Sequence, residues 1–420
     1  MMSTVDIYLY GTPLGNLKMN KDKYQLQWHP NAITQFGLGA KTLSETLAIG
    51  MPTQQSSIVS FFGGLLPEAE GLRALSRRAK CSETDLLKLL TYTTPDLPGA
   101  VVIGDRQEGT YFEVDAESVE AKLKSTDRYP LGNVGGGGSL TGYQPKITLA
   151  RFDGQWFDST TGATSTHILK PSTAEQEQLV WWEHYCVSLA RELGLSQYKT
   201  GVSTFGATPA LVIERFDRRI KSHGRVEKIH QEDFSQILGI GWDSNAKFEQ
   251  NNTASSYRNM ASVLKGLPKL EAAAQSIEQL FYSLLFNLCI GNTDAHAKNH
   301  ALIKPYKGEV KLAQLYDLFP LALSYEGTKS MALKVNGKSF LGDITLKDAV
   351  KEAINWRSAL KDLDDKAHVF LQKIQIANDT LDIPEAGKHL PEYINQVCSR
   401  LLNGQSAFPE STVPFILTTV

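Results

Sequence analysis

Apolar and polar positions alternate near the start of the chain. Val5, Ile7 and Leu9 interleave with Asp6 and Tyr8, and Tyr24, Leu26 and Trp28 repeat the period. A period of two predicts strands, and Gly11-Thr12-Pro13 between them reads as the turn of a short hairpin over residues 5–30. A continuous apolar run, Ile58-Val59-Ser60-Phe61-Phe62-Gly63-Gly64-Leu65-Leu66, ends at Pro67. Beyond it Leu72, Leu75, Leu86, Leu87 and Leu90 fall at helical spacing, with Ser82 placed to cap.

A different pattern begins with Gly135-Gly136-Gly137-Gly138-Ser139. Such a run also occurs in artificial linkers, but here Leu140 to Leu149 turn directly into a strand, as a phosphate-cradling loop does. Phe152–Phe157 and Ser165–Lys170 are further strand candidates. Ser172 with Glu175 forms a capping box for a helix that Gly194 ends. Ala210 to Asp217 reads as a buried strand leaving into polar sequence, which suits a hinge.

The chain then turns mainly helical. Ile277, Leu280, Phe281, Leu284, Leu285, Leu288 and Cys289 keep i, i+3, i+4 spacing, and Gly291 stops that helix. The expected fold is α+β and bilobal, like a protein kinase. It comprises an amino-terminal α/β subdomain (1–120), a small β-rich lobe with the glycine loop and hinge (121–218), and a helical lobe (219–420). The tail after about residue 404 is expected to be loosely held.

Composition narrows the class. The 420 residues are 42% hydrophobic and 21% charged, which suits a globular protein of more than one domain. A net charge of −2 offers no global attraction to nucleic acid or anionic membrane. The four cysteines lie far apart with no C-x-x-C pair, favouring buried thiols and a reducing compartment. No secretory signal is evident at the start, and no apolar run is long enough to span a bilayer, so the expected location is cytoplasmic with no membrane partner.

The candidate chemistry lies in Gly291-Asn292-Thr293-Asp294-Ala295-His296-Ala297-Lys298-Asn299 and in Tyr316-Asp317. An acid, an amide five residues on and a second acid can hold Mg²⁺-ATP and accept a hydroxyl proton. In that reading Asp294 takes or orients the proton, Asn299 and Asp317 ligate Mg²⁺, and Lys298 neutralises charge on the transferred group. Asp317 is expected at the end of a strand through Val310, Leu312 and Leu315. Lys170 pairs with the α- and β-phosphates; Glu175, Glu177, Glu183 and Glu192 remain alternatives for the carboxylate that orients it. Plainer readings exist: Asp294 and Asn299 as a helix cap and Asx-turn, Asp317 as a solvated turn acid, Lys170 as a snorkelling strand end. Asp294 and His296 lack the further ligands a metal hydrolase needs. Arg73, Arg77, Arg78 and Lys80 form a basic run for which a solvated helix face is the plainer account than nucleic-acid binding.

Taken together, these stretches resemble the HipA family of bacterial toxin kinases over about residues 5–380. The amino-terminal part is similar in Phe61–Glu68 and Pro98-Gly99-Ala100-Val101. The remainder is similar in Ser139–Lys146, Ser165–Lys170, Glu214-Arg215-Phe216-Asp217-Arg218, Asn292–Asn299 and Tyr316-Asp317. The resemblance implies an ATP- and Mg²⁺-dependent serine/threonine protein kinase, the toxin of a toxin–antitoxin pair. Its implied partners are a HipB-like helix-turn-helix antitoxin, operator DNA through that complex, and a protein substrate, an aminoacyl-tRNA synthetase such as the glutamyl enzyme. By the same similarity Thr141, Gly142, Tyr143, Gln144, Pro145 and Lys146 contact the triphosphate. Glu214, Arg215 and Phe216 meet adenine through backbone groups, and His296, Ala297, Lys298, Asn299, Tyr316 and Asp317 complete the site. Ser139 falls where family members autophosphorylate, and a phosphate there repels the triphosphate. The chain departs from ordinary protein kinases: it lacks G-x-G-x-x-G, has Thr293 before the catalytic acid and has Leu318-Phe319 after Asp317. The alternatives are a catalytically vestigial binding subunit of a repressor complex, or a small-molecule kinase.

Overall fold

A computed structural model describes residues 4–20, 23–93, 96–104, 109–125, 145–159, 163–173, 176–221, 224–242, 245–324 and 327–409. Thr141 to Gln144 of the glycine-rich loop, Ser139 and Glu175 lie outside these. The chain divides into two compact units. The first gathers 1–171, 203–244 and 303–308; the second gathers 172–202, 245–302 and 309–420.

The first unit opens with three strands, Thr4–Leu9, Thr12–Asn20 and Lys23–Trp28, instead of the single expected hairpin. Tyr10 and Gly11 both take positive φ, 51° and 80°, and make the first turn; the Thr12–Pro13 segment already belongs to the second strand. Val101–Ile103 adds to the free side of Thr4–Leu9 and completes an antiparallel sheet of four. Leu9, Leu14, Leu17, Phe61 and Phe62 are buried in its core.

The apolar run near residue 60 forms the helix Gln55–Gly64. Ile58, Phe61, Phe62, Gly63 and Gly64 are all buried, so the sequence shows no polar face to mark the period. Its last turn needs bare backbone. A Cβ on Gly63 would lie 2.2 Å from Trp242, and one on Gly64 would lie 2.5 Å from Gln236. Two helices follow, Ala69–Ala79 and Leu86–Tyr92. The second is capped by Asp85, whose carboxylate accepts from Lys88 N–H, and not by Ser82, whose hydroxyl accepts from Thr84 N–H. Within the basic run Arg73 pairs with Glu70 and Arg78 donates to the carbonyl of Tyr92.

A second sheet of six strands runs in the order Tyr111–Val114, Gln155–Ser159, Ile147–Phe152, His167–Pro171, Thr208–Glu214, Thr200–Phe205. Phe152 to Phe157 is not one strand: Asp153 and Gly154, with φ of 49° and 86°, turn the chain between two.

The second unit is built on helices. Glu177–Glu192 begins at Gln176, without a side-chain cap from Ser172. Gly194, at φ 74°, ends it. Leu270–Ile290 runs through the middle of the unit, and its Leu280, Phe281, Leu284, Leu285 and Leu288 are fully buried. Around it lie Tyr257–Lys265, Leu346–Asn355, Leu363–Thr380 and His389–Leu402. The chain beyond 404 is held as far as 409: Ala407 is buried and its N–H donates to Ile344. Among the described residues no helix is long and apolar enough to cross a membrane.

Candidate active site

Gly291 sets the geometry of the second unit's key loop. At φ 69° it closes the helix Leu270–Ile290 in the left-handed region, where a side chain is strained. The chain reverses at once, with Asn292 N–H donating to Asn287 and Thr293 N–H to Gly291. Thr293 is anchored twice more: its hydroxyl donates to Thr328 and its carbonyl accepts from Ala332 N–H. His296 N–H donates to Asp294 O at 2.6 Å, and Ala297–Asn299 forms one 3-10 turn. Asn299 Nδ2 donates to Asp294 O at 3.0 Å, so the proposed base and the proposed ligand amide share one loop.

The second acid is tied to the same loop. Tyr316 Oη donates to Lys298 O at 2.8 Å, and Asn292 Nδ2 donates to Asp317 O at 3.3 Å. Asp317 does not sit at a strand end. The strand here is only Lys311–Leu312, and Asp317 lies beyond it with φ 57°. That left-handed backbone bends the chain where the carboxylate is presented, a costly conformation that the surrounding bonds hold.

Asn292, Asn287, Ser283 and His300 form a chain of neutral bonds beneath the loop. Asn292 Nδ2 also donates to Asn287 Oδ1 at 2.9 Å, and Asn287 Nδ2 donates to Ser283 Oγ at 3.4 Å. His300 Nδ1 donates to the carbonyl of His296 at 3.2 Å, so its Nε2 accepts from Ser283 Oγ at 3.3 Å. That tautomer is the neutral one, and burial pushes the His300 pKa down to about 4. The backbone of Asp317 is thereby linked to that of His296 through the long helix. Asn292 carried no assigned role in the sequence reading, and neither did Asn287 or Ser283. Only Asn292's place in the motif marked it.

Among the candidate carboxylates of the helix Glu177–Glu192, Glu183 is buried, Glu192 is exposed, and Glu177 accepts from Trp181 Nε1. Glu183 and Asp317 both act on Tyr198, whose hydroxyl is pushed well above its usual range first by burial and then by these two charges. His296 packs edge-on against Phe248, with ring centroids 5.3 Å apart.

The remaining candidates belong to the first unit. Lys170 is buried on His167–Pro171 and opposes Leu211. Pro145 is exposed and Lys146 half-buried, just before Ile147–Phe152. Glu214 opposes His167, and Arg215 N–H donates to Thr166 O. The Arg215 guanidinium is committed to buried carboxylates, so only its backbone is available to a base.

Among the described residues no cluster of three acidic, histidine or cysteine side chains could enclose a metal by itself. One amide and one carboxylate on adjoining loops suit a hard cation that completes its coordination with phosphate oxygens and water. The donor set fits Mg²⁺ arriving with a nucleotide.

The profile of the HipA N-terminal domain matches residues 5–104, and that of the HipA-like C-terminal domain matches 138–379. The chain belongs to the HipA family. It is 28% identical over 312 residues to the serine/threonine-protein kinase toxin HipA of Shewanella oneidensis, covering 70% of each chain. It is also 28% identical over 314 residues to Y4mE of Sinorhizobium fredii, covering 72% of each. The solved structure of Shewanella oneidensis HipA, in a complex with HipB and operator DNA, superposes with a TM-score of 0.81 at 22% identity. That superposition covers 95% of this chain and 97% of that one. The fold is thus the HipA-like, α+β, kinase-like one, and the chain is a protein kinase of this family.

Proposed function

We propose that this HipA-family kinase transfers the γ-phosphoryl group of Mg²⁺-ATP to a serine or threonine hydroxyl of another protein. The observation that carries the reading is the single loop after Gly291, which brings Asp294 and Asn299 together and is bonded to Tyr316 and Asp317. The substrate oxygen forms a bond to the γ-phosphorus as the bond to the β,γ-bridging oxygen breaks, and ADP leaves. Asp294 takes the hydroxyl proton, and Lys298 offsets charge on the transferred group. Asn299 and Asp317 hold the metal, which when bound neutralises the phosphates. Lys170 pairs with the α- and β-phosphates. Residues 141–146 cradle the triphosphate, and the backbone of Glu214, Arg215 and Phe216 meets adenine. His296, Ala297 and Tyr316 shape the remainder.

The working division follows these roles: 1–120 as the amino-terminal subdomain, 121–218 as the nucleotide lobe, 219–420 as the catalytic lobe. We infer further that the chain is the toxin of a pair. A HipB-like antitoxin would bind it and carry the complex to operator DNA, repressing their shared operon. Likeness to a HipA solved with HipB and DNA supports this. A cytoplasmic aminoacyl-tRNA synthetase, the glutamyl enzyme first, is the proposed target. Its phosphorylation would slow translation and favour dormancy, and Ser139 is the proposed site of self-inactivation.

The test uses radiolabelled ATP with the full chain and a cell extract. Asp294→Gln and Asp317→Gln are each expected to lose at least about a hundredfold in label transfer while remaining folded. Near-normal transfer in both would overturn the assignment.

A further inference from the structure

Two motifs noted in the sequence turn out to be partners. Asp96, Leu97 and Gly99, at the Pro98-Gly99 motif, meet Arg215, Asp217 and Arg218 of the Glu214–Arg218 motif, all within the first unit. Asp96 Oδ2 accepts from Arg215 Nη1 at 3.0 Å, and Oδ1 accepts from Arg218 Nη2 at 3.0 Å. Ser165 adds its hydroxyl and its N–H to Asp96 Oδ2, at 2.5 and 3.2 Å. Arg215 forks onto Asp217 through Nε and Nη2, at 3.1 and 3.0 Å. The carbonyl of Leu97 accepts from both arginines, and Gly99 gives its carbonyl to Arg218 and its N–H to Asp217.

The four charged side chains are at most 6% exposed. Burial alone would raise the Asp96 pKa, but Arg215 and Arg218 outweigh it and hold the carboxyl well below its usual range. Nearby, burial and then Arg218 push the Lys228 ammonium down to about 7. Two carboxylates thus balance two guanidinium groups, and a third cation is disfavoured. Loss of one carboxylate leaves both arginines facing Asp217 alone.

We propose that Asp96 is a positioning residue for nucleotide binding. By gripping Arg215 and Arg218 from behind, it fixes the backbone of Glu214–Phe216, the segment assigned to adenine; the inference rests on that assignment. The amino-terminal domain would then supply part of the frame of the nucleotide site as well as a surface of its own. Asp96 itself touches no ligand. Its influence passes through the Arg215 backbone, whose N–H is also bound to Thr166 O at 2.9 Å beside Ser165.

The experiment measures binding of the fluorescent probe TNP-ATP, with Mg²⁺, to the full chain, alongside the thermal unfolding midpoint. Asp96→Asn is expected to weaken binding on the order of tenfold or more, because a buried charge pair is left unbalanced next to the binding backbone. Ser165→Ala removes the hydroxyl that donates to Asp96 and accepts from Arg215 Nη1, and should weaken binding about two- to fivefold; it carries the test of this clamp if Asp96→Asn does not fold. Leu17→Ala, in the core of the four-stranded sheet, is expected to lower the midpoint and leave the dissociation constant within about twofold. If both clamp variants lower the midpoint but bind like the unsubstituted chain, Asp96 is merely structural and the inference falls while the site reading stands. Failure of the unsubstituted chain to bind overturns the site reading, and the inference with it.

Discussion

The frame beneath the catalytic loop and the frame inside the first unit hold chain segments by opposite means. Under residues 292–300 the linking groups are amides, a hydroxyl and a neutral imidazole. In the first unit they are ions: Asp96 with Arg215 and Arg218, and Lys304 with Glu232 and Glu45 at 2.7 and 3.0 Å. A neutral frame adds no field of its own beside groups that must handle a highly charged nucleotide. A buried ionic frame is directional and demanding, and leaving one member alone is costly. The frame beneath the catalytic loop leaves charge to the ligand groups, whereas in the first unit charge also serves architecture.

The sharpest way to break this comparison is at Glu232. Its carboxylate accepts from Ser44 Oγ, Glu45 N–H and Lys304 Nζ, and it is fully buried. Glu232→Ala leaves Lys304, itself 2% exposed at the side chain, with Glu45 and the carbonyl of Lys41 but without its fully buried carboxylate, and should destabilise the chain by roughly 3 kcal/mol in urea unfolding. Asp294→Gln, by contrast, should cost at least about a hundredfold in phosphoryl transfer, equivalent to ~2.7 kcal/mol of barrier, and leave the unfolding midpoint nearly unchanged. A large stability loss from Asp294→Gln would mean that this carboxylate serves the fold, and the contrast would collapse.

The pattern of the sequence made the long helix and its stop at Gly291 legible, because a buried stripe and a left-handed cap each leave a local mark. The strand and loop carrying Lys170 and Asp294 were legible for the same reason. The helix at Phe61-Phe62 was not: burial on nearly every side erases the polar face that reveals a helical period. Asp96 was invisible as well. Its partners Arg215 and Arg218 stand 119 and 122 residues further on, and no spacing rule reaches across such a gap. Val310, Leu312 and Leu315 suggest a strand that ends at Asp317, whereas Leu315 N–H is taken by Leu195 O, a partner distant in sequence.

Buried neutral histidines give a pH test of where each frame fails. Burial pushes His167, His230 and His300 down to about 4, 3 and 4. In the unfolded chain each takes a proton near pH 6.5, while the folded chain takes it only near those lower values. Between about 6.5 and 4 the unfolded state therefore binds more protons, and stability falls as pH falls, by up to ~1.4 kcal/mol per pH unit for each imidazole. His230 donates from Nε2 to Leu43 O in the first unit, and His300 serves the catalytic loop in the second. Urea unfolding from pH 7.5 to 5 should show the decline; a flat profile would mean that these rings are charged in the folded state.

The smallest effect separates backbone strain from packing at the loop's root. Gly291 and Gly404 both follow helices, with φ of 69° and 74°. A Cβ on Gly404 meets nothing within 4 Å, whereas one on Gly291 would lie 2.8 Å from Tyr393 Oη and 3.1 Å from Ala322 Cβ. Both changes to alanine carry the left-handed penalty, about 1 kcal/mol. Only Gly291→Ala must also displace neighbours, for an added loss of roughly 1 kcal/mol. Because Ala322 N–H donates to Gly291 O, that displacement also moves the segment after Asp317, so Gly291→Ala should slow phosphoryl transfer and Gly404→Ala should not. Equal losses of stability together with equal activities in the two variants would show that the loop's root yields without disturbing the acids above it, and that the neutral frame is softer than its bonding implies.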